Sequence, residues 1–377
     1  MDHARLAPSS ANRWVNCPGS VTMEERYPER TESESAREGT AGHWVGSEVL
    51  VGRGAESFVG RTAPNGVIIT EEMVDAAKVY VEHVYSIAPL AASRIFERRV
   101  AITRVHPTEC FGTPDCRYST PGELHVWDYK YGYGIVEPKE NWQLICYAAG
   151  YMDELTEIPA GLFDQGLTVN LHIVQPRPFH QQGSCRTWRI AGTDLRGYIN
   201  RLEAAATAAL GPNPQLQSGD HCRYCSARHA CPAAQKAALF AIDYSCGAIP
   251  EELSARALGI EYRTLQRAAE AIKYRLTGLE QQIIQLLQKG QGSDTGFGIQ
   301  HGKGRVQWSV PAAEVFSLGD LMGKDLRAPL SPITPVQAQK LGLPADVLNA
   351  YTSTPENGIK LVPSGGTLAA QVFGQGG

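Results

Sequence analysis

The chain has 377 residues, of which 43% are hydrophobic and 20% charged, with a formal net charge of −4. That balance describes a soluble globular protein with room for two domains, or for one large domain with an appendage. It excludes a broadly basic nucleic-acid coat, though not a local basic groove. No apolar run reaches the length of a membrane span. No GxxxxGK[ST] loop marks a P-loop motor. The opening residues, MDHARLAPSS, lack the apolar core of a signal peptide, so a cytoplasmic location is expected.

In chain order, residues 8–20 predict a short helix capped by Ser9 or Ser10 and ended by Cys17-Pro18-Gly19. Residues 24–36 are polar and predict a loop. A helix then opens at Arg37-Glu38-Gly39-Thr40-Ala41-Gly42-His43 and continues through Leu50. A histidine on a helix is more often a core or surface residue than a ligand, and His43 alone decides nothing. A further helix is predicted over 71–90, with Met73, Ala76, Ala77, Tyr80 and Val84 on its apolar side. Residues 95–103 predict one strand, in which Glu97 is either an acidic contributor to a site or a partner for an arginine.

The stretch 112–147 organises the rest. Residues 123–130 alternate as a strand, placing Leu124, Val126, Asp128 and Lys130 on one face. A carboxylate and an ammonium on an otherwise apolar face are costly unless paired or bound to a metal. Asp115 stands thirteen positions before Asp128, a natural hairpin return. Two carboxylates converging beside one lysine suit a hard cation, Mg²⁺ or Mn²⁺, and phosphodiester chemistry. A bare Asp-x-Lys is otherwise an ordinary ion pair. Helix 141–154 follows, with Gln143 and Tyr147 on one face. A strand is predicted at 167–174, closed by Gln175-Pro176-Arg177-Pro178, and an alanine-rich helix at 194–210.

Five of the nine cysteines (Cys110, Cys116, Cys146, Cys185 and Cys246) are isolated and read as small core residues. Cys222, Cys225 and Cys231 fall within ten residues, a strong metal or cluster signal. Zinc wants four ligands, and the candidates for the fourth are His221, His229 and the distant Cys17.

Together these motifs resemble the RecB-type PD-(D/E)xK nucleases over about residues 8–235: Gly-Thr-x-x-His, Pro-Asp, Asp-x-Lys and Gln-x-x-x-Tyr occur in family order. The N-terminal cysteine with Cys-x₂-Cys-x₅-Cys is similar to the four-cysteine branch, which includes CRISPR-associated nucleases and the nuclease domains of bacterial recombination helicases. Ser-Ser-Ala-Asn-Arg-Trp and Cys-Pro-Gly-Ser also look like phage- and prophage-encoded stand-alone members. The resemblance implies an α/β restriction-endonuclease-like core, a central mixed sheet flanked by helices; beyond residue 235, where it thins, a mainly helical C-terminal module is expected. It implies a Mg²⁺- or Mn²⁺-dependent deoxyribonuclease, an exonuclease in phage recombination or replication, acting on DNA beside a strand-annealing or single-strand-binding protein. His43, Asp115 and Asp128 would then hold the cation, Lys130 activate the water, and Gln143 and Tyr147 steady the site. Cys17, Cys222, Cys225 and Cys231 would hold a [4Fe–4S] cluster; structural zinc and reduced thiols stand as the alternatives. The rival functions are a nuclease-like scaffold that binds DNA or a replication partner without cutting, and a zinc-dependent DNA-binding protein.

The expected divisions are a nuclease domain over 1–240, a long helical segment over 241–290 and a small module with a loose tail over 291–377. Leu265, Ala269, Ile272, Leu276, Leu279, Ile283 and Leu286 form a heptad stripe, predicting a long helix packed on the core through that stripe or, less simply, a dimer seam. A hairpin is predicted within 290–310, where Lys303, Arg305 and Trp308 suit DNA contact and equally an edge hairpin with solvated basic residues, and a short helix between Thr334 and Gly342.

Overall fold

The computed structural model describes residues 4–28, 34–89, 94–154, 166–245, 253–291 and 293–298, with Pro344 alone beyond them. The chain divides into Met1–Ser309 and Val310–Gly377, and every element below belongs to the first unit. Of the hairpin predicted within 290–310, residues 299–310 lie outside the described residues, as do the helix near 334, the glycine-rich tail and Cys246, while Ser293–Thr295 forms a short 3-10 turn.

The centre is a five-stranded mixed sheet. Its strands are β1 (Ile95–Phe96), β4 (Cys116–Thr120), β5 (Glu123–Tyr129), β6 (Thr168–Val174) and β7 (Cys185–Ala191), hydrogen-bonded in that order. Strands β5 and β6 are parallel, and the other neighbours antiparallel. A separate pair, β2 (Val100–Ala101) and β3 (Phe111–Gly112), lies outside that sheet. The strand predicted over 95–103 is therefore broken in two. Glu97 takes φ 41°, a left-handed conformation costly for a residue with a Cβ, and the chain bends there.

Alternation on β5 sorts the two cores, as the sequence pattern requires. Leu124 and Val126 face a layer made by α1 (Ala11–Asn16), α5 (Trp142–Glu154) and α6 (Gly192–Leu210), where Trp14, Leu144, Ile145 and Leu202 are buried. Trp127 and Tyr129 face α3 (Glu34–Leu50) and α4 (Glu71–Ile87), where Val45, Tyr80 and Val84 are buried. Thr70 caps α4 by accepting the Met73 amide, and Asn141 caps α5 by accepting those of Gln143 and Leu144.

Several elements carried no clear signal. Residues 24–36 are not one loop: α2 (Ser20–Arg26) covers their start and α3 begins at Glu34. Strand β7 and α7 (Pro232–Ser245) were likewise not anticipated. The long helix α8 (Ala255–Gln288) exists, but it packs on a different face. Its small residues Ala271 and Gly278 turn inward, and a Cβ on Gly278 would stand 2.8 Å from the Arg228 side chain. Leu265, Leu276, Leu279 and Leu286 stay exposed. Close backbone approach, not leucine burial, sets the orientation of this helix. Among the described residues no helix is long and apolar enough to cross a membrane.

Candidate active site and cysteine cavity

The candidate site forms at the carboxyl end of β5, where a β–α–β crossover leaves room for a ligand. Strands β4 and β5 pair with Cys116 opposite Trp127, so extending the register by one residue sets Asp115 opposite Asp128. The Tyr129 amide donates to Asp115 Oδ2 at 2.6 Å, fixing that carboxylate against the next strand. Lys130 begins just past the strand, its amide tied to the Val174 carbonyl at 2.8 Å.

Four of the sequence-predicted residues join one network. Gln143 Nε2 donates to Asp128 Oδ1 at 3.0 Å and to the Tyr147 hydroxyl at 3.5 Å. Its Oε1 accepts from Lys130 Nζ at 3.0 Å, and Lys130 Nζ also stands 2.8 Å from Asp128 Oδ2. That oxygen is buried, and the Lys130 ammonium is the charge that faces it. Burial pushes the Asp128 carboxyl up, against the opposing pull of Lys130, and the Asp115 charge adds to the rise.

His43 reaches the same place from α3, its Nδ1 3.3 Å from Asp115 Oδ1. Burial would raise Asp115, but the charge and hydrogen bond of His43, the Tyr129 amide and Lys130 outweigh it and hold the carboxyl low. Burial would lower His43, yet Asp115 outweighs it and lifts the imidazole. Gly42 explains how the helix comes so near, since a Cβ there would sit 2.7 Å from the Tyr131 ring. Glu97, solvent-exposed yet crowding the site, is pushed to about 7 by partial burial and the Asp115 charge.

Sequence reasoning missed Arg177. It donates to Glu38 of α3 at 3.0 Å, to Glu72 of α4 at 3.3 Å and to the Tyr131 carbonyl, so it locks α3 to the site. The only signal was an arginine between two prolines after β6. Also unforeseen is a buried stack on the sheet's other face. His125 and His172 are hydrogen-bonded at 3.1 Å, and Trp127 donates to His83.

The second constellation joins both ends of the core. Cys17, Cys222, Cys225 and Cys231 line one cavity of about 10 Å³, together with Arg13, Ser20, His221 and Arg228. The Gln217 amide donates to Cys17 Sγ at 3.3 Å. His229 is not among the residues lining that cavity; it lies edge-on to Tyr27 and is bonded to the Ser226 carbonyl. Cys110, Cys116 and Cys146 are buried and Cys185 partly so, as core residues should be. Among the described residues no three His, Cys, Asp or Glu side chains have the spacing of a formed metal site. The four cysteines share a cavity, not a coordination sphere.

A sequence profile described as "Protein of unknown function (DUF2800)" matches residues 3–364, nearly the whole chain. The chain belongs to the DUF2800 family. Among solved structures it is similar to "Putative exonuclease" from Eubacterium rectale, at 9% identity and a TM-score of 0.33, over 67% of this chain and 92% of that one. A likeness so distant carries no argument about chemistry; the geometry of this DUF2800 member has to carry it.

Proposed function

We propose that this protein is a metal-dependent deoxyribonuclease of RecB-type PD-(D/E)xK design, working on phage DNA. One observation carries the reading: Asp128, Lys130, Gln143 and Tyr147 share a single hydrogen-bonded network beside Asp115 and His43. The donor types suit a hard divalent cation, two carboxylates and an imidazole in one neighbourhood, and they would close into a ligand set only on binding, because unliganded they are not spaced as a formed metal site. Asp115, Asp128 and His43 would hold Mg²⁺ or Mn²⁺. When bound, such an ion polarises a phosphate oxygen and lowers the pKa of water. Lys130 Nζ, directed by the Gln143 carbonyl oxygen, orients the attacking water and balances charge developing on the phosphate. Gln143 in turn keeps Asp128 Oδ1 from rotating away.

The chemistry lining the cysteine cavity suits an anionic cluster better than free thiols, although at about 10 Å³ the cavity would have to open to admit one. Ser20 Oγ and Arg228 Nε are both buried and without a hydrogen-bond partner, and both residues line the cavity. Burial lifts the Cys225 thiol to about 12, so ionising it calls for a bound cation. A [4Fe–4S] centre would supply that and spread its ligands wider than one ion does, since iron and sulfide stand between them. Its role would be to hold α1 against the segment that closes the core. His221 at the cavity wall supports zinc with three cysteines as the second reading.

The test is cleavage of end-labelled DNA with Mn²⁺ by Asp115→Ala and Lys130→Ala beside the parent. Each should lose roughly a hundredfold in rate or more while remaining folded, as circular dichroism would show, even though Asp115→Ala gives up the His43 and Tyr129 contacts and should melt somewhat lower. Near-parental cleavage by either variant would move the chemistry elsewhere.

A further inference from the structure

We propose that Tyr133 and Tyr224 form a base-stacking ledge that receives a single-stranded segment of DNA beside the candidate site, making an unpaired strand the substrate. The proposal rests on the nuclease reading for the identity of the ligand, but on separate residues for its geometry.

Single exposed apolar side chains are ordinary, but neighbouring ones held out on a fixed backbone can mark an interaction site. Tyr133 is 61% exposed, Ile135 55% and Tyr224 66%. The first two lie on the loop between Lys130 and α5, and that loop is not slack. Gln175, fully buried, donates to the carbonyls of Gly132 at 2.9 Å and Gly134 at 2.7 Å and accepts the Val136 amide at 3.1 Å. Arg186, also buried, clamps Gln175 at 2.9 Å and the Val136 carbonyl at 2.8 Å. Two buried polar side chains thus spend their hydrogen bonds on holding out a segment whose aromatic ring meets water.

The rings come from different parts of the chain. Tyr224 belongs to the cysteine-bearing turn Asp220–Tyr224, and its hydroxyl lies 3.9 Å from where a Cβ on Gly134 would stand. The Arg177 guanidinium is 4.1 Å from the centre of the Tyr133 ring, and that of Arg223 is 5.3 Å from the Tyr224 ring. A Cβ on Gly132 would meet nothing, so open space adjoins the Tyr133 segment. Flat rings with guanidinium groups beside them are what a run of unstacked bases needs. Arg223 and the exposed Lys139 offer charge for its phosphates. Duplex DNA presents its bases edge-on inside its grooves, with their faces stacked on one another and closed to the rings of Tyr133 and Tyr224.

The experiment is fluorescence anisotropy with full-length protein in EDTA, so that no strand is cut, using a labelled oligothymidylate and a duplex of equal length. Tyr133→Ala and Tyr224→Ala should each weaken single-strand binding by roughly tenfold, and the pair by more. Replacing both with phenylalanine should restore it, while duplex binding and melting temperature stay put. Gly132→Leu, which fills the open space without removing a ring, should also weaken single-strand binding. Parental affinity in the double alanine variant would overturn the proposal and leave the patch to a protein partner. Equal losses for both DNA forms, or no single-strand binding by the parent, would overturn it too. Failure of the nuclease reading looks different: the ledge variants would lose affinity as stated, but the parent would cut nothing with Mn²⁺.

Discussion

Gln143→Ala removes the side chain on which the proposed site converges. The parent glutamine bonds Asp128 Oδ1 and Lys130 Nζ at 3.0 Å each, and touches the Tyr147 hydroxyl at 3.5 Å. Asp128 is only 2% exposed, so water does not readily replace the lost donor. A buried hydrogen bond to a charged group contributes about 1.5–3 kcal/mol. Losing the one to Asp128 while freeing Lys130 to wander should cost about 2–3 kcal/mol in the transition state, a rate fall of roughly 30- to 150-fold. The direction with pH also follows. Burial and Asp115 already lift Asp128, and removal of a donor to its ionised form lifts it further. The acid limb of the pH–rate profile should therefore move to higher pH. Single-turnover cleavage at saturating Mn²⁺, followed across pH, measures both effects. An unchanged rate with an unshifted acid limb would refute the network as a working unit.

Asp128→Asn should raise the melting temperature above neutral pH when no divalent ion is present. A carboxyl whose folded pKa is raised stabilises only below its unfolded pKa and loses that benefit as pH climbs. Mg²⁺ should stabilise the parent and not this variant; thermal melts from pH 4 to 9 decide it. The His172 imidazole is held well below its ordinary value by burial, then by His83 and His125. Its contribution is complete above the unfolded pKa of about 6.5 and is lost as pH falls below that. His172→Asn should flatten the acid side of the melting curve, and a curve as steep as the parent's would contradict this. Cys17→Ser should lose bound iron and lower the melting temperature before it slows cleavage. By analogy with a disulfide closing a loop of about 200 residues, the cost could approach 5 kcal/mol. Retained iron and parental melting would remove Cys17 from the ligands.

Much of the core was legible because its signals are local. The alternation at 123–130 and the apolar run at 167–174 stand as β5 and β6, and the helices predicted over 71–90 and 141–154 stand as α4 and α5. Asp128, Lys130, Gln143 and Tyr147 come together because a strand and the helix that follows it fix their spacing. What stayed hidden depends on distant partners. The bend at Glu97 is a backbone conformation that its side chain does not announce. Arg177 matters only because α3 and α4 each bring a glutamate to it. The stripe on α8 misled for a physical reason: the leucines mark amphipathicity, whereas the smaller Ala271 and Gly278 permit the closest approach.

The most direct trial of the central claim compares the parent protein with Asp128→Ala on the same end-labelled DNA, with Mn²⁺ and then with EDTA. The parent should cut only when the ion is present, and the variant, melting no lower than the parent, should not cut in either condition. A parent that never cuts, or an Asp128→Ala protein that cuts at the parental rate, would contradict it.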